Sequence, residues 1–177
     1  MELTMGKLLL ISGANDSGKS RWAEQLISAL PGKKYYIATM KPVSEDNYRR
    51  IEKHKNQRAG LGFQTLEQPY KIEQLSLEPE STVLLEDVSN LMAHCFFELG
   101  QGAGQVFESV EALADSCSLL VAVTISGLES YDYDEETTSY INALNELNRM
   151  LFDRADVAVY MKDGEAECIK GALDDLY

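Results

Sequence analysis

Apolar residues in this chain fall into short unbroken runs, separated by longer stretches where they recur every three or four positions. The runs Leu8–Ser12, Tyr35–Ala38, Thr82–Leu85, Leu119–Thr124 and Val157–Met161 read as strands buried on both faces. Phe63–Leu66 reads as a short extended piece, and Glu167–Lys170 as an antiparallel edge strand beyond the Asp163-Gly164 turn. Between them, helices are predicted over Lys19–Leu30, from an N-cap at Ser44 to Arg58, over Tyr70–Leu75, Val88–Leu99, Val106–Ser116 and Glu135–Arg154. Gly60 and Gly62 stop the second of these, and Gly100, Gly102 and Gly104 mark a loop before the fifth. The last helix places Tyr140, Leu144, Leu147 and Leu151 on one face. Such alternation predicts a mostly parallel sheet with helices on both sides, in an α/β domain spanning residues 1–177.

Composition adds little to this picture, but charge adds something. With 29 acidic against 16 basic side chains the net charge is −13, so neither nucleic acid nor an anionic membrane is an expected partner. No run approaches the ~20 apolar residues of a membrane span. The N-terminal run is short and preceded by Glu2, unlike a secretion signal, and a cytoplasmic location is expected. Cys95, Cys117 and Cys168 are widely spaced and odd in number, which predicts reduced, buried thiols rather than disulfides or a zinc site.

The first chemical signal is Gly13-Ala14-Asn15-Asp16-Ser17-Gly18-Lys19-Ser20. It matches G-x-x-x-x-G-K-S/T at every fixed position, directly after a strand and opening a helix. Glycines let backbone N–H groups turn inward around phosphate oxygens, and the helix N-terminus adds a favourable dipole. Lys19 is expected to reach the β- and γ-phosphates of ATP or GTP, and the Ser20 hydroxyl to ligate Mg²⁺. A second magnesium ligand is expected at the tip of a neighbouring strand. Glu86 is the first choice there, ahead of Asp87, although acidic residues also end strands as helix caps.

The second signal is basic. Arg49, Arg50, Lys53, Lys55 and Arg58 are five of the chain's 16 basic residues within ten positions, opposed only by Glu52. Arg50, His54 and Arg58 stand at i, i+4 and i+8 and share a helix face. A histidine between two guanidiniums resists protonation and stays nucleophilic near pH 7, while the guanidiniums could hold phosphate oxygens for attack. The plainer reading is a solvated basic helix carrying a surface histidine. His94, within an apolar helix, reads as a packed residue.

Several strings together resemble a known family. Lys19-Ser20-Arg21-x-Ala23-Glu24, Tyr36-Ile37-Ala38-Thr39, Arg50-Ile51-x-x-His54-Lys55-x-x-Arg58, Leu84-Leu85-Glu86, Asn148 and Ala155-Asp156-x-Ala158-Val159 occur in order. They are similar to the bifunctional adenosylcobinamide kinase / adenosylcobinamide-phosphate guanylyltransferases of cobalamin assembly. The resemblance implies a three-layer, RecA-like P-loop NTPase domain with an antiparallel edge strand. It implies a kinase step on adenosylcobinamide, then transfer of GMP from GTP through a guanylyl-histidine at His54, with Lys19 at the phosphates. It also implies nucleotide contacts at Ala38, Thr39, Met40, Arg50, Lys55, Asn56, Gln57, Arg58, Glu67 and Glu86, and a homotrimer. Two rivals remain at this point: a small-molecule kinase of other specificity, and a nucleotide-binding regulatory module without turnover.

Overall fold

A computed structural model describes residues 6–41, 44–129 and 133–177, with the side chain of Gln57 also outside the description. Glu2 and residues 130–132 lie outside it. One seven-stranded sheet runs through the described residues. Its strands are β1 (Lys7–Gly13), β2 (Lys34–Ala38), β3 (Phe63–Glu67), β4 (Thr82–Glu86), β5 (Leu119–Ile125), β6 (Val157–Lys162) and β7 (Glu165–Lys170). The spatial order is β3-β2-β4-β5-β1-β6-β7, parallel throughout except for β7, which returns antiparallel along β6. This is an α/β P-loop NTPase-like sheet, as the alternation of strands and helices predicts.

Alternate residues of the strands supply two separate cores, because successive side chains leave a strand on opposite faces. Leu8, Leu10, Val83, Leu85, Leu120 and Ala122 pack beneath α3 (Val88–Leu99), α4 (Ala103–Asp115) and α5 (Glu135–Arg154). Leu9, Ile11, Leu84, Val121, Val123 and Val159 pack on the other side against Ala23 and Ile27 of α1 (Lys19–Ser28). Each such fully buried side chain contributes about 1.5–3 kcal/mol over leaving it exposed. The strands are held in place from both sides, which fixes where their C-terminal ends emerge.

Several expectations need correcting. Phe63–Glu67 is a full edge strand, in parallel register with β2 from Lys34↔Phe63 to Ala38↔Glu67. The helix expected over Tyr70–Leu75 is a single 3₁₀ turn, Ile72–Gln74, after Lys71 in the left-handed region. Helix α4 starts at Ala103 rather than Val106, since the Gln105 side chain accepts from the Gly102 N–H at 3.1 Å and satisfies that helix end despite the glycines. On α5 the buried face is Ile141, Leu144, Leu147 and Leu151. Tyr140 is half-buried and donates its hydroxyl to the Ser89 carbonyl at 2.8 Å. Cys95 and Cys117 are buried free thiols, but Cys168 is exposed because it lies on the uncovered edge strand β7. No described helix is long and apolar enough to cross a membrane.

Helix α2 (Glu45–Ala59) is the exception to this packing, with almost no apolar face. The Ser44 hydroxyl accepts from the Asn47 N–H at 3.2 Å, as an N-cap should, and Glu45 and Asp46 in the first turn favour the positive end of the dipole.

Candidate active site

The C-terminal ends of β1, β2, β4 and β5 open onto one cavity of about 360 Å³, where open α/β sheets place their ligands. From the Gly13–Ser20 loop, Asn15, Asp16, Lys19 and Ser20 border it, while Gly13, Ala14, Ser17 and Gly18 do not. Gly13 has φ 153°, and a Cβ there would meet the Met161 carbonyl oxygen at 2.5 Å, so no other residue fits without a backbone shift. Gly18 caps α1 in the left-handed region, φ 91°. The backbone N–H groups of Asn15, Asp16, Ser17 and Gly18 donate to no described group, leaving the donors that an anion would satisfy. Lys19, nearly buried, donates instead to the Ala14 carbonyl of its own loop at 2.6 Å. Burial pulls its ammonium below the usual range, while Asp87, Glu86 and Asp16 pull the other way.

Glu86 and Asp87, adjacent in sequence, have different employments. The Glu86 carboxylate accepts from the Ser20 hydroxyl on one oxygen and from the Tyr36 hydroxyl on the other. Burial pushes its carboxyl up to about 7, against the lowering effect of the Tyr36 bond, with Glu24 and Asp87 adding repulsion and Arg58 relieving it. Asp87 caps α3, its Oδ1 accepting from the Asn90 N–H at 2.7 Å. Thr39 is fully buried and braces the same turn. Its hydroxyl donates to the Asp87 carbonyl at 2.8 Å and accepts from the Asp87 N–H at 2.9 Å. His94 reaches the Thr39 carbonyl through Nε2 at 2.9 Å, consistent with a packed residue.

The basic helix closes the cavity from one side. Arg50, His54 and Arg58 all border it, as their spacing predicts. Burial, then Arg58, Arg50 and Lys53 in that order, hold the His54 imidazole below its usual range. Arg58 is 4% exposed, with its guanidinium 3.6 Å from the centre of the Tyr36 ring and its buried Nε without a hydrogen-bond partner. Such stacking suits a guanidinium and contributes on the order of 1 kcal/mol. Ala38, Met40 and Glu67 border the cavity from the ends of β2 and β3. Lys55 and Asn56 are exposed on α2 away from it, and the side chain of Gln57 lies outside the described residues.

Sequence reasoning missed Tyr36, Ile51, Asn90, Val123 and Ile125, which also line the cavity. Tyr36 hides in an apolar run that reads as core. Val123 and Ile125 sit at the end of β5, beside the phosphate-loop strand, where the strand-end rule for ligands would have found them. Two residues of the resemblance prove structural. Asn148 accepts from Thr124 Oγ1 at 2.6 Å and donates to the Ile125 carbonyl at 3.0 Å, and Asp156 accepts from the Leu8 N–H at 2.9 Å.

Donor types decide what this site could hold. Ser20 and Glu86 offer hard oxygens beside the phosphate loop, which suits Mg²⁺. No group of three or more His, Cys, Asp or Glu side chains suited to a metal exists among the described residues, so phosphate and water oxygens would complete such a shell.

Residues 9–169 match the family described as cobinamide kinase / cobinamide phosphate guanyltransferase. Two curated relatives are each called a bifunctional adenosylcobalamin biosynthesis protein. The one from Salmonella typhimurium is 33% identical over 96 residues, and the one from Escherichia coli 32% identical over 96 residues. Each alignment spans 52% of this chain and 52% of the relative, about half the length of the curated proteins it matches.

Proposed function

The chain belongs to the cobinamide kinase / cobinamide phosphate guanyltransferase family, and from that premise we propose that it phosphorylates adenosylcobinamide and then attaches GMP to the phosphate by way of His54. The supporting observation is that His54 and the phosphate-loop residues Lys19 and Ser20 border one cavity. A single bound triphosphate could thus lie within reach of both.

In the first step Lys19 and the loop N–H groups neutralise charge on the β- and γ-phosphates of ATP or GTP. The substrate hydroxyl oxygen attacks the γ-phosphorus, the bond to the β-phosphate oxygen breaks, and the nucleoside diphosphate leaves. The hydroxyl proton passes to solvent, because the Glu86 carboxylate is taken up by the Ser20 and Tyr36 hydroxyls and the metal. Ser20 and Glu86 would hold Mg²⁺, which would supply further charge neutralisation at the phosphates. In the second step a ring nitrogen of neutral His54 attacks the α-phosphorus of GTP. An N–P bond forms as the bond to the pyrophosphate oxygen breaks. Arg50 and Arg58 carry the developing negative charge.

Incubation with α-labelled GTP tests this directly. A covalent adduct stable to base and labile to acid, absent from His54→Ala, is the expected result. Protein that binds GTP but never acquires label leaves a kinase of other specificity or a regulatory module in its place.

A further inference from the structure

A second cleft, of about 510 Å³, runs between α1 and α2. It shares Ser20, Tyr36, His54, Arg58 and Glu86 with the cavity described above, and continues past them to Arg21, Glu24, Gln25 and Leu61. Ser20, Arg21, Glu24 and Gln25 form one polar stripe on α1, at i, i+1, i+4 and i+5, while Ala23 and Ile27 enter the core. A polar helix face is ordinarily just solvated. Here a different residue points to a ligand. Arg58 is 4% exposed, donates no hydrogen bond to any described group, and faces this cleft as well as the first. Its buried Nε, left without a partner, calls for an acceptor oxygen such as a hydroxyl or phosphate supplies.

We propose that this α1–α2 cleft seats the acceptor of both steps, an alcohol arm first and then the phosphate monoester it becomes. The proposal rests on the function proposed above. Across the shared wall both electrophiles are reached from one seat. Ser20 marks the phosphate loop, where the γ-phosphate is attacked, and His54 carries the guanylyl group. The anionic end lies toward Arg58, with Arg21 supplying a second cation along the stripe. Glu24 and Gln25 accept from hydroxyl or amide donors of the arm further out. Leu61, 41% exposed, offers an apolar lip to whatever larger body the arm belongs to.

The chemistry balances from this seat. A phosphate-monoester oxygen attacks the phosphorus on His54, a phosphoanhydride bond forms, the N–P bond breaks, and its electron pair returns to the ring. The imidazole emerges neutral, ready for the next GTP. Nothing but the acceptor need enter the cleft, so the nucleotide and the acceptor arm occupy different lobes of one site.

Two substitutions on the exposed face of α1 test the seat: Gln25→Trp, which fills the cleft, and Arg21→Ala, which removes a cation. In GMP transfer to cobinamide phosphate, KM for this acceptor should rise about tenfold or more in Gln25→Trp and severalfold in Arg21→Ala. KM for GTP and the rate of His54 labelling should stay within about twofold of wild type. An unchanged acceptor KM in both variants overturns the seat, and so does loss of labelling in both, which would assign the cleft to the nucleotide. Wild-type protein that never labels refutes guanylyl transfer but not the seat. Calorimetric binding of cobinamide phosphate then decides it, with about tenfold weaker binding to Gln25→Trp supporting the seat and equal affinity overturning it.

Discussion

Lys19 spends the free state bonded to the Ala14 carbonyl of its own loop, in surroundings that penalise its charge. A triphosphate would relieve that penalty, so Lys19→Ala should lower nucleotide affinity or turnover by about an order of magnitude or more, measured by equilibrium binding and steady-state rate. His54 carries the pH prediction. Because burial and its cationic neighbours hold its pKa below the usual 6.5, it should remain neutral where an ordinary histidine is half-charged. The labelling rate should thus hold steady as pH falls to about 6.5 and drop only below it. Lys53→Gln removes one like charge, raises the His54 pKa and moves that acid limb to higher pH, which an NMR titration of the ring protons reads independently of activity. At this scale the phosphate-loop pattern disclosed Lys19, while spacing put Arg50, His54 and Arg58 on one helix face and the family resemblance made them candidates for the site. The sequence could not disclose Tyr36, whose hydroxyl on Glu86 and ring under Arg58 are relations across the sheet that no local pattern encodes.

Helix α2 carries three of those four residues and buries the least apolar surface among the described α-helices. No apolar side chain of α2 is fully buried, whereas α5 buries Ile141, Leu144, Leu147 and Leu151. Its hold on the body comes through half-buried Ile51 and the Arg58–Tyr36 stack, and the Ser44 cap secures its own first turn. Amides of α2 should exchange with solvent faster than those of α5, and Ser44→Ala should speed them further by costing about 1 kcal/mol of helix stability. Equal protection of the two helices in a hydrogen-exchange experiment would contradict this. Helix α2 was legible from its cap and terminal glycines, which are local signals, and α3 and α5 fell where their patterns end. Strand β3 was harder, because Gln64 and Glu67 interrupt its apolar run and only pairing with β2 makes it part of the sheet. The start of α4 was missed for a similar reason, since a glutamine cap carries the helix back through Gly104, which reads as loop.

At the scale of the whole molecule, the fold gathers the ends of parallel strands at one rim, and most of the site follows from that. What one chain does not contain is the assembly. We propose a homotrimer on the family resemblance, and the surface sets what it must do. A closed three-membered ring uses two different patches on every subunit, one for each neighbour. At about 800 Å² per patch, typical of a stable interface, a subunit would cover roughly 1,600 Å², a substantial share of its 9842 Å² accessible surface. Exposed Phe97, Leu99, Phe152, Tyr160 and Ile169 are the large apolar side chains such patches would be expected to draw on. Light scattering should give a mass of about 60 kDa, three times the 19.8 kDa chain, unchanged on dilution through the micromolar range. A mass near 19.8 kDa at every concentration would refute the trimer. It would also count against any site shared between subunits.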